Sequence, residues 1–128
     1  MPNHAGPKTF LILIAALNVL LHTNANAADP AAGKLVFNAS CAICHSVIQG
    51  KNGLGPSLFD IVGRKAGQVK GFHYTAANQK VDLIWDEPTL DKYLQSPTAL
   101  IPGTTMTVPG LKDDAKRADL IAYMATLK

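Results

Sequence analysis

The most regular pattern in the chain lies near its end. Leu120, Tyr123, Met124 and Leu127 recur at spacings of three and four, which places them on one face of a helix. Asp113 and Asp114 precede this stripe and Lys128 closes it, an order of charge that complements the helix dipole. An opening helix is expected from Pro30 to Ala42. Proline suits a first helical turn, and Leu35, Phe37 and Ala39 are read as sharing a buried side with Gly33. Thr89 to Gln95 is expected as a third helix, with Leu90, Tyr93 and Leu94 inward and Pro97 ending it, and a single helical turn is placed at Thr75 to Gln79. Residues 46–70 are rich in glycine, broken by Pro56 and without either period, so they read as loop. Leu100 and Ile101 lead into a Pro102-Gly103 turn. Strand patterns are poor throughout, and the expected class is all-α. Loops this long in so small a domain need something internal to pack on.

The N-terminus is a separate matter. Lys8, the apolar stretch from Phe10 to Leu21 and the small-residue run Ala25-Asn26-Ala27 follow the order of a secretory signal with an A-x-A cleavage site. Asn18 interrupts the stretch, which is shorter than the ~20 residues of a membrane span. Residues 1–27 are therefore expected to be a signal peptide and 28–128 one mature domain, with no stable membrane insertion after cleavage. The full chain has 12 Lys+Arg and 9 Asp+Glu, net +3, and loss of Lys8 with the leader leaves +2. Such a balance points to neither nucleic acid nor a strongly anionic surface as partner.

Only two cysteines occur, Cys41 and Cys44, and His45 follows them directly. In an exported chain the default fate of two such thiols is a disulfide, unless something else captures them. A thioredoxin-like redox pair would sit within a βαβ pattern, which is missing. A zinc site needs about four ligands, and beyond these three the mature chain adds only His73, without a second paired motif. Covalent haem attachment uses every member of C-x-x-C-H: the thiols form thioethers to the porphyrin vinyl groups, and the adjoining His45 is placed as an axial iron ligand. The sixth ligand is to be chosen among His73, Met106, Met124 or none. Met106 is favoured, because Pro102-Gly103 leaves an extended loop able to present it. Met124 reads as core filler on the last helix, and His73 as a surface or loop histidine.

With these residues in view, the chain resembles mitochondrial-like class I cytochromes c from Gly33 to Leu127. Besides C-x-x-C-H, the resemblance rests on Gly55-Pro56-Ser57-Leu58, Val62-Gly63-Arg64-Lys65-Ala66-Gly67-Gln68, Gly71-Phe72-His73-Tyr74-Thr75, Trp85, Tyr93-Leu94, Ile101-Pro102-Gly103-Thr104 with Met106, and Asp119-Leu120-Ile121-Ala122-Tyr123. It implies the class I fold, three to five helices with long loops wrapped around one haem c held through Cys41 and Cys44, with iron bound by His45 and Met106. It also implies that the Pro56 carbonyl accepts a hydrogen bond from the ligand histidine. Arg64, Gln68, Tyr74 and Trp85 then surround the haem propionates, with Asn78, Tyr93 and Thr104 in a polar network on the methionine side. Gly33, Phe37, Leu120 and Tyr123 match the contact between terminal helices.

The function implied is that of a periplasmic one-electron carrier, monomeric and not an enzyme, in a respiratory or dehydrogenase-linked chain. Its donor would be a membrane quinol-oxidising complex or periplasmic dehydrogenase, and its acceptor a terminal oxidase or reductase. A small haem peroxidase or gas sensor is the competing class, and a subunit bound permanently to one enzyme is a third. The lysine ring of the family's docking face is largely missing: Ser40, Thr98, Ala99, Thr105, Asp113 and Asp114 stand at such positions, and Val108-Pro109 replaces an aromatic after the methionine. Charge steering is expected to be weak and the docking surface more apolar.

Overall fold

The computed structural model describes Met1, Pro2 and residues 27–128, so most of the expected signal segment lies outside the described residues. Five helices are present among them: α1 (Pro30–Ser40), α2 (Ala76–Lys80), α3 (Glu87–Gln95), α4 (Pro97–Leu100) and α5 (Asp114–Ala125). The described residues contain no strand, only an isolated antiparallel bridge between Lys65 and Ile84.

Helices α1 and α5 form the main packing unit. A Cβ on Gly33 would run into the backbone carbonyl of Asp119 and the Cβ of Tyr123, so glycine is what permits the close crossing. Below it the rings of Phe37 and Tyr123 meet at 5.7 Å and 52°. Leu120, Ile121 and Met124 are buried on α5, each contributing about 1.5–3 kcal/mol by leaving water. Met124 is thus core, as its place on the stripe implied. Asp29 caps α1 by accepting from the Ala31 amide at 2.8 Å, while its own amide donates to the Asp119 carboxylate at 2.7 Å.

Several sequence expectations need correction. Leu35 is 70 % exposed and Ala39 is exposed, whereas Gly33 and Phe37 are buried. Residues two apart share a face in a strand, but in a helix they point about 200° apart; Gly33 and Phe37, four apart, share one. Helix α1 stops at Ser40, with Cys41 as its cap. Helix α3 starts two residues earlier than expected, because Asp86 accepts from the Thr89 amide at 2.8 Å and Pro88 fits the first turn. Pro97 does more than end α3: lacking an amide proton, it is tolerated in the opening turn of α4. Lys128 lies beyond α5 and pairs instead with Asp60 at 2.7 Å.

The long segment 46–70 is loop, stitched by its own polar groups. Ser57 donates to the Ile48 carbonyl at 2.7 Å, its amide donates to Asn52, and Asn52 reaches the Lys70 carbonyl. The Gly63 amide donates to the Trp85 carbonyl and the Trp85 amide to the Arg64 carbonyl, both at 2.9 Å. Arg117, which the sequence reading did not single out, is 3 % exposed, and each of its three side-chain nitrogens donates a hydrogen bond.

Candidate haem site

The C-x-x-C-H run turns sharply off the end of α1. The Cys41 and Ala42 amides both donate to the Phe37 carbonyl, and those of Cys44 and His45 to the Cys41 carbonyl. This brings both sulfurs and the imidazole into one turn. Cys41 and Cys44, both half-buried, are not joined to each other as a disulfide. Burial, reinforced by neighbouring Cys44, pushes the Cys41 thiol up to about 11.

His45 Nδ1 donates to the Pro56 carbonyl at 2.7 Å. A carbonyl can only accept, so the proton of neutral imidazole sits on Nδ1 and the Nε2 lone pair is left for a metal. Burial lowers the pKa of His45, partly opposed by the Pro56 bond, and this also favours the neutral, ligating form. Gly55 lies directly against the ring, where a Cβ would collide with Nδ1, Cε1 and Nε2. Sequence reading placed Gly55 in a motif without giving it a function; its position just before the acceptor proline was the available signal.

The expected shell is brought together in two further groups. Arg64 Nη1 donates to the Phe59 carbonyl at 2.7 Å and Nη2 to the Ser57 carbonyl at 2.9 Å. Two of its five donors are thus used on backbone, leaving three. Burial works against its charge, and Tyr74 and Asp60 oppose that effect. The Tyr74 hydroxyl accepts from the Val69 amide at 3.2 Å, and burial pushes its pKa up. Gln68 is exposed and joins none of these bonds. In the other group Tyr93 and Thr104 share a hydroxyl–hydroxyl bond at 3.2 Å, and Thr104 Oγ1 accepts from the Met106 amide at 3.3 Å. Burial raises the Tyr93 pKa against the side chains of Thr104 and Asn78. Thr75 donates to Asn78 Oδ1 at 2.8 Å.

Trp85 joins these groups. It is buried, bonded through its backbone to Arg64, and its ring meets Tyr93 at 4.8 Å. A continuous run therefore leads from His45 through Pro56-Ser57, Arg64, Trp85, Tyr93 and Thr104 to half-buried Met106. His73 is exposed, as expected of a surface histidine. A depression of about 340 Å³ adjoins the motif, lined by Phe37, Ile43, Cys44, His45, Val47 and Lys51 among others, and Met106 and Tyr93 do not line it. No group of three or more His, Cys, Asp or Glu side chains suited to a metal occurs among the described residues.

Comparison with known proteins agrees with this geometry. Residues 30–128 match the model of the family described as cytochrome c. The chain belongs to the cytochrome c family. It is 46 % identical over 100 residues to cytochrome c2 of Rhodopila globiformis, covering 78 % of this chain and 94 % of that one. It is 48 % identical over 103 residues to cytochrome c2 of Rhodoblastus acidophilus, covering 80 % and 95 %. Cytochrome cH from Methylobacterium extorquens superposes with a TM-score of 0.72 at 42 % identity, over 77 % of this chain and 98 % of the other. The chain is thus an electron-transfer protein of class I cytochrome c fold that carries haem c, with Cys41 and Cys44 present in the attachment spacing.

Removing one hydroxyl tests the polar network. Tyr93→Phe is expected to cost about 1 kcal/mol by removing the hydroxyl bond to Thr104. For a domain of this size that lowers the melting temperature by roughly 4–8 °C, measured by thermal unfolding.

Proposed function

We propose that this cytochrome is a periplasmic carrier in which His45 and Met106 are the axial ligands of a haem c fixed through Cys41 and Cys44. Haem iron, alternating between ferrous and ferric states, supplies the one-electron chemistry. The observation that carries the reading is the orientation of His45: its proton is committed to Pro56 and Nε2 is free. Met106 supplies a thioether, which favours ferrous iron and raises the potential. Arg64, Tyr74 and Trp85 offer donors for the propionates, charges that would be costly to bury alone. Gln68, being exposed, serves only from the rim. Asn78, Tyr93 and Thr104 steady the methionine loop.

Residues 1–27 act as the export signal, and mass measurement of the exported protein should show a chain beginning at Ala28. The mature protein works as a monomer between redox partners, taking electrons from a quinol-oxidising complex or periplasmic dehydrogenase and passing them to a terminal oxidase or reductase. Its contact surface is more apolar than charged. Ile43 and Leu54 are 86 % and 81 % exposed, and Ser40, Thr98, Ala99, Thr105 and Asp113 are exposed without supplying positive charge. A salt-insensitive association rate with its partner is the expected consequence.

The decisive experiment is the visible spectrum of the purified protein in both redox states. The oxidised form should show the weak far-red band of sulfur-to-ferric-iron ligation, and Met106→Ala should lose it and lower the potential. Freshly reduced protein should resist carbon monoxide at neutral pH. Rapid carbon monoxide binding, or a band that survives in Met106→Ala, would overturn the reading.

A further inference from the structure

Met106 sits in a loop with little backbone support of its own. Its front end is held by Thr104, whose hydroxyl meets Tyr93 and accepts from the Met106 amide. No hydrogen bond holds the backbone of residues 107–110 among the described residues. The next fixed point is Leu111, whose amide donates to the Leu94 carbonyl at 2.8 Å, followed by Lys112, whose Nζ donates to the Gln95 carbonyl at 2.6 Å. Gly110, at φ 88°, lies so close to that carbonyl that a Cβ would collide with it.

Arg117 binds this end of the loop to two helices at once. Its side chain is 4 % exposed. Nε donates to Asp91 of α3 at 2.8 Å, Nη2 to Asp114 of α5 at 2.7 Å, and Nη1 to the Leu111 carbonyl at 2.9 Å. Two carboxylates compensate the buried charge, and the planar fork spends its remaining direction on the loop backbone. Arg117 falls three, four and seven residues before Leu120, Ile121 and Met124, on the apolar face of α5 where a charge is costly without a dedicated use.

We propose that Arg117 is a positioning residue for Met106: it locks the trailing end of the methionine loop onto α3 and α5, and so keeps the thioether from yielding to competing ligands. The proposal rests on the reading of Met106 as an axial ligand. Removing the fork takes away one of the two backbone bonds that hold Leu111, leaving its amide on the Leu94 carbonyl, and leaves Met106, Thr104 and Tyr93 in place. The loop then gains conformational freedom, which an exogenous ligand can exploit.

The test compares the oxidised holoprotein with Arg117→Met, using imidazole as the competing ligand and amide hydrogen exchange as a map of where structure loosens. Well below its melting temperature, Arg117→Met should bind imidazole about tenfold more tightly, a change of 1.4 kcal/mol. Exchange should quicken over residues 104–112 and remain unchanged at the α1–α5 crossing. Asp91→Asn keeps the guanidinium and two of its bonds, so it should shift both readouts in the same direction by about threefold, and it stands in should Arg117→Met fail to fold. A merely structural arginine would instead lower stability, with exchange quickened uniformly and imidazole affinity unchanged; that result overturns the proposal. Met106→Ala separates the two layers. Equal imidazole affinity in wild type and Met106→Ala overturns the ligation reading and the proposal with it. A wild type that resists imidazole, with Arg117→Met and Asp91→Asn resisting equally, overturns the proposal alone.

Discussion

Gly33→Ala is expected to destabilise the fold by about 2–3 kcal/mol, although alanine is the better helix former. The two effects have opposite signs. On propensity alone, alanine inside α1 would gain about 1 kcal/mol. The added methyl, however, points at the Asp119 carbonyl and the Tyr123 Cβ, and the first of these is backbone of α5 that cannot rotate aside. The helices must separate, opening gaps around Phe37 and Leu120, which are 4 % and 2 % exposed. A loss of that size lowers the melting temperature by roughly 10–20 °C. Gly50→Ala is the useful comparison: nothing lies within 4 Å of its Cβ position, and only its φ of +72° opposes substitution, worth about 1–2 kcal/mol. A Gly33→Ala protein as stable as wild type would refute the close crossing.

How much of this was legible in the sequence follows from the range of the interactions. The α5 stripe and the C-x-x-C-H turn are local patterns: Leu120, Tyr123 and Met124 lie on α5 as read, with Leu127 just past its end, and the motif forms one turn. The Pro56 carbonyl was expected from the family resemblance, and the structure places it 2.7 Å from His45 Nδ1. Leu35 and Ala39 were misplaced because apolar character was counted without its angle around the helix. The α4 turn was missed because Pro97 was taken as a stop, although proline equally starts a helix. Arg117 was missed for a different reason. Its partners Asp91 and Leu111 lie on other elements, and only the fold brings them to it. A basic residue in register with an apolar stripe was nevertheless a visible signal. Gln68 shows the reverse case, since a motif match does not ensure that a side chain turns inward.

Gly55→Ala is expected to act on the cofactor rather than on the fold. The backbone at Gly55 is pinned from both sides: its amide donates to the Cys44 carbonyl at 2.8 Å and its carbonyl accepts from Gly53 at 2.9 Å. It cannot retreat from a new Cβ, so the His45 ring must move, because the Cβ position falls on Nδ1, Cε1 and Nε2. The bond to Pro56 is the first casualty. With His45 as the proposed iron ligand, that acceptor would make the imidazole a stronger donor, so its loss is expected to weaken the hold of His45 on iron by roughly 10–100-fold and to favour the ferrous state. The measured outcomes should be a raised midpoint potential, a high-spin fraction in the oxidised spectrum, and a haem still attached through both thioethers under denaturing conditions. Leu54→Ala, one residue away but 81 % exposed, should leave all three unchanged and stability within about 0.5 kcal/mol. If Gly55→Ala kept the wild-type spectrum and potential, His45 would not be held against Gly55 as described, and its assignment as the oriented axial ligand would fail.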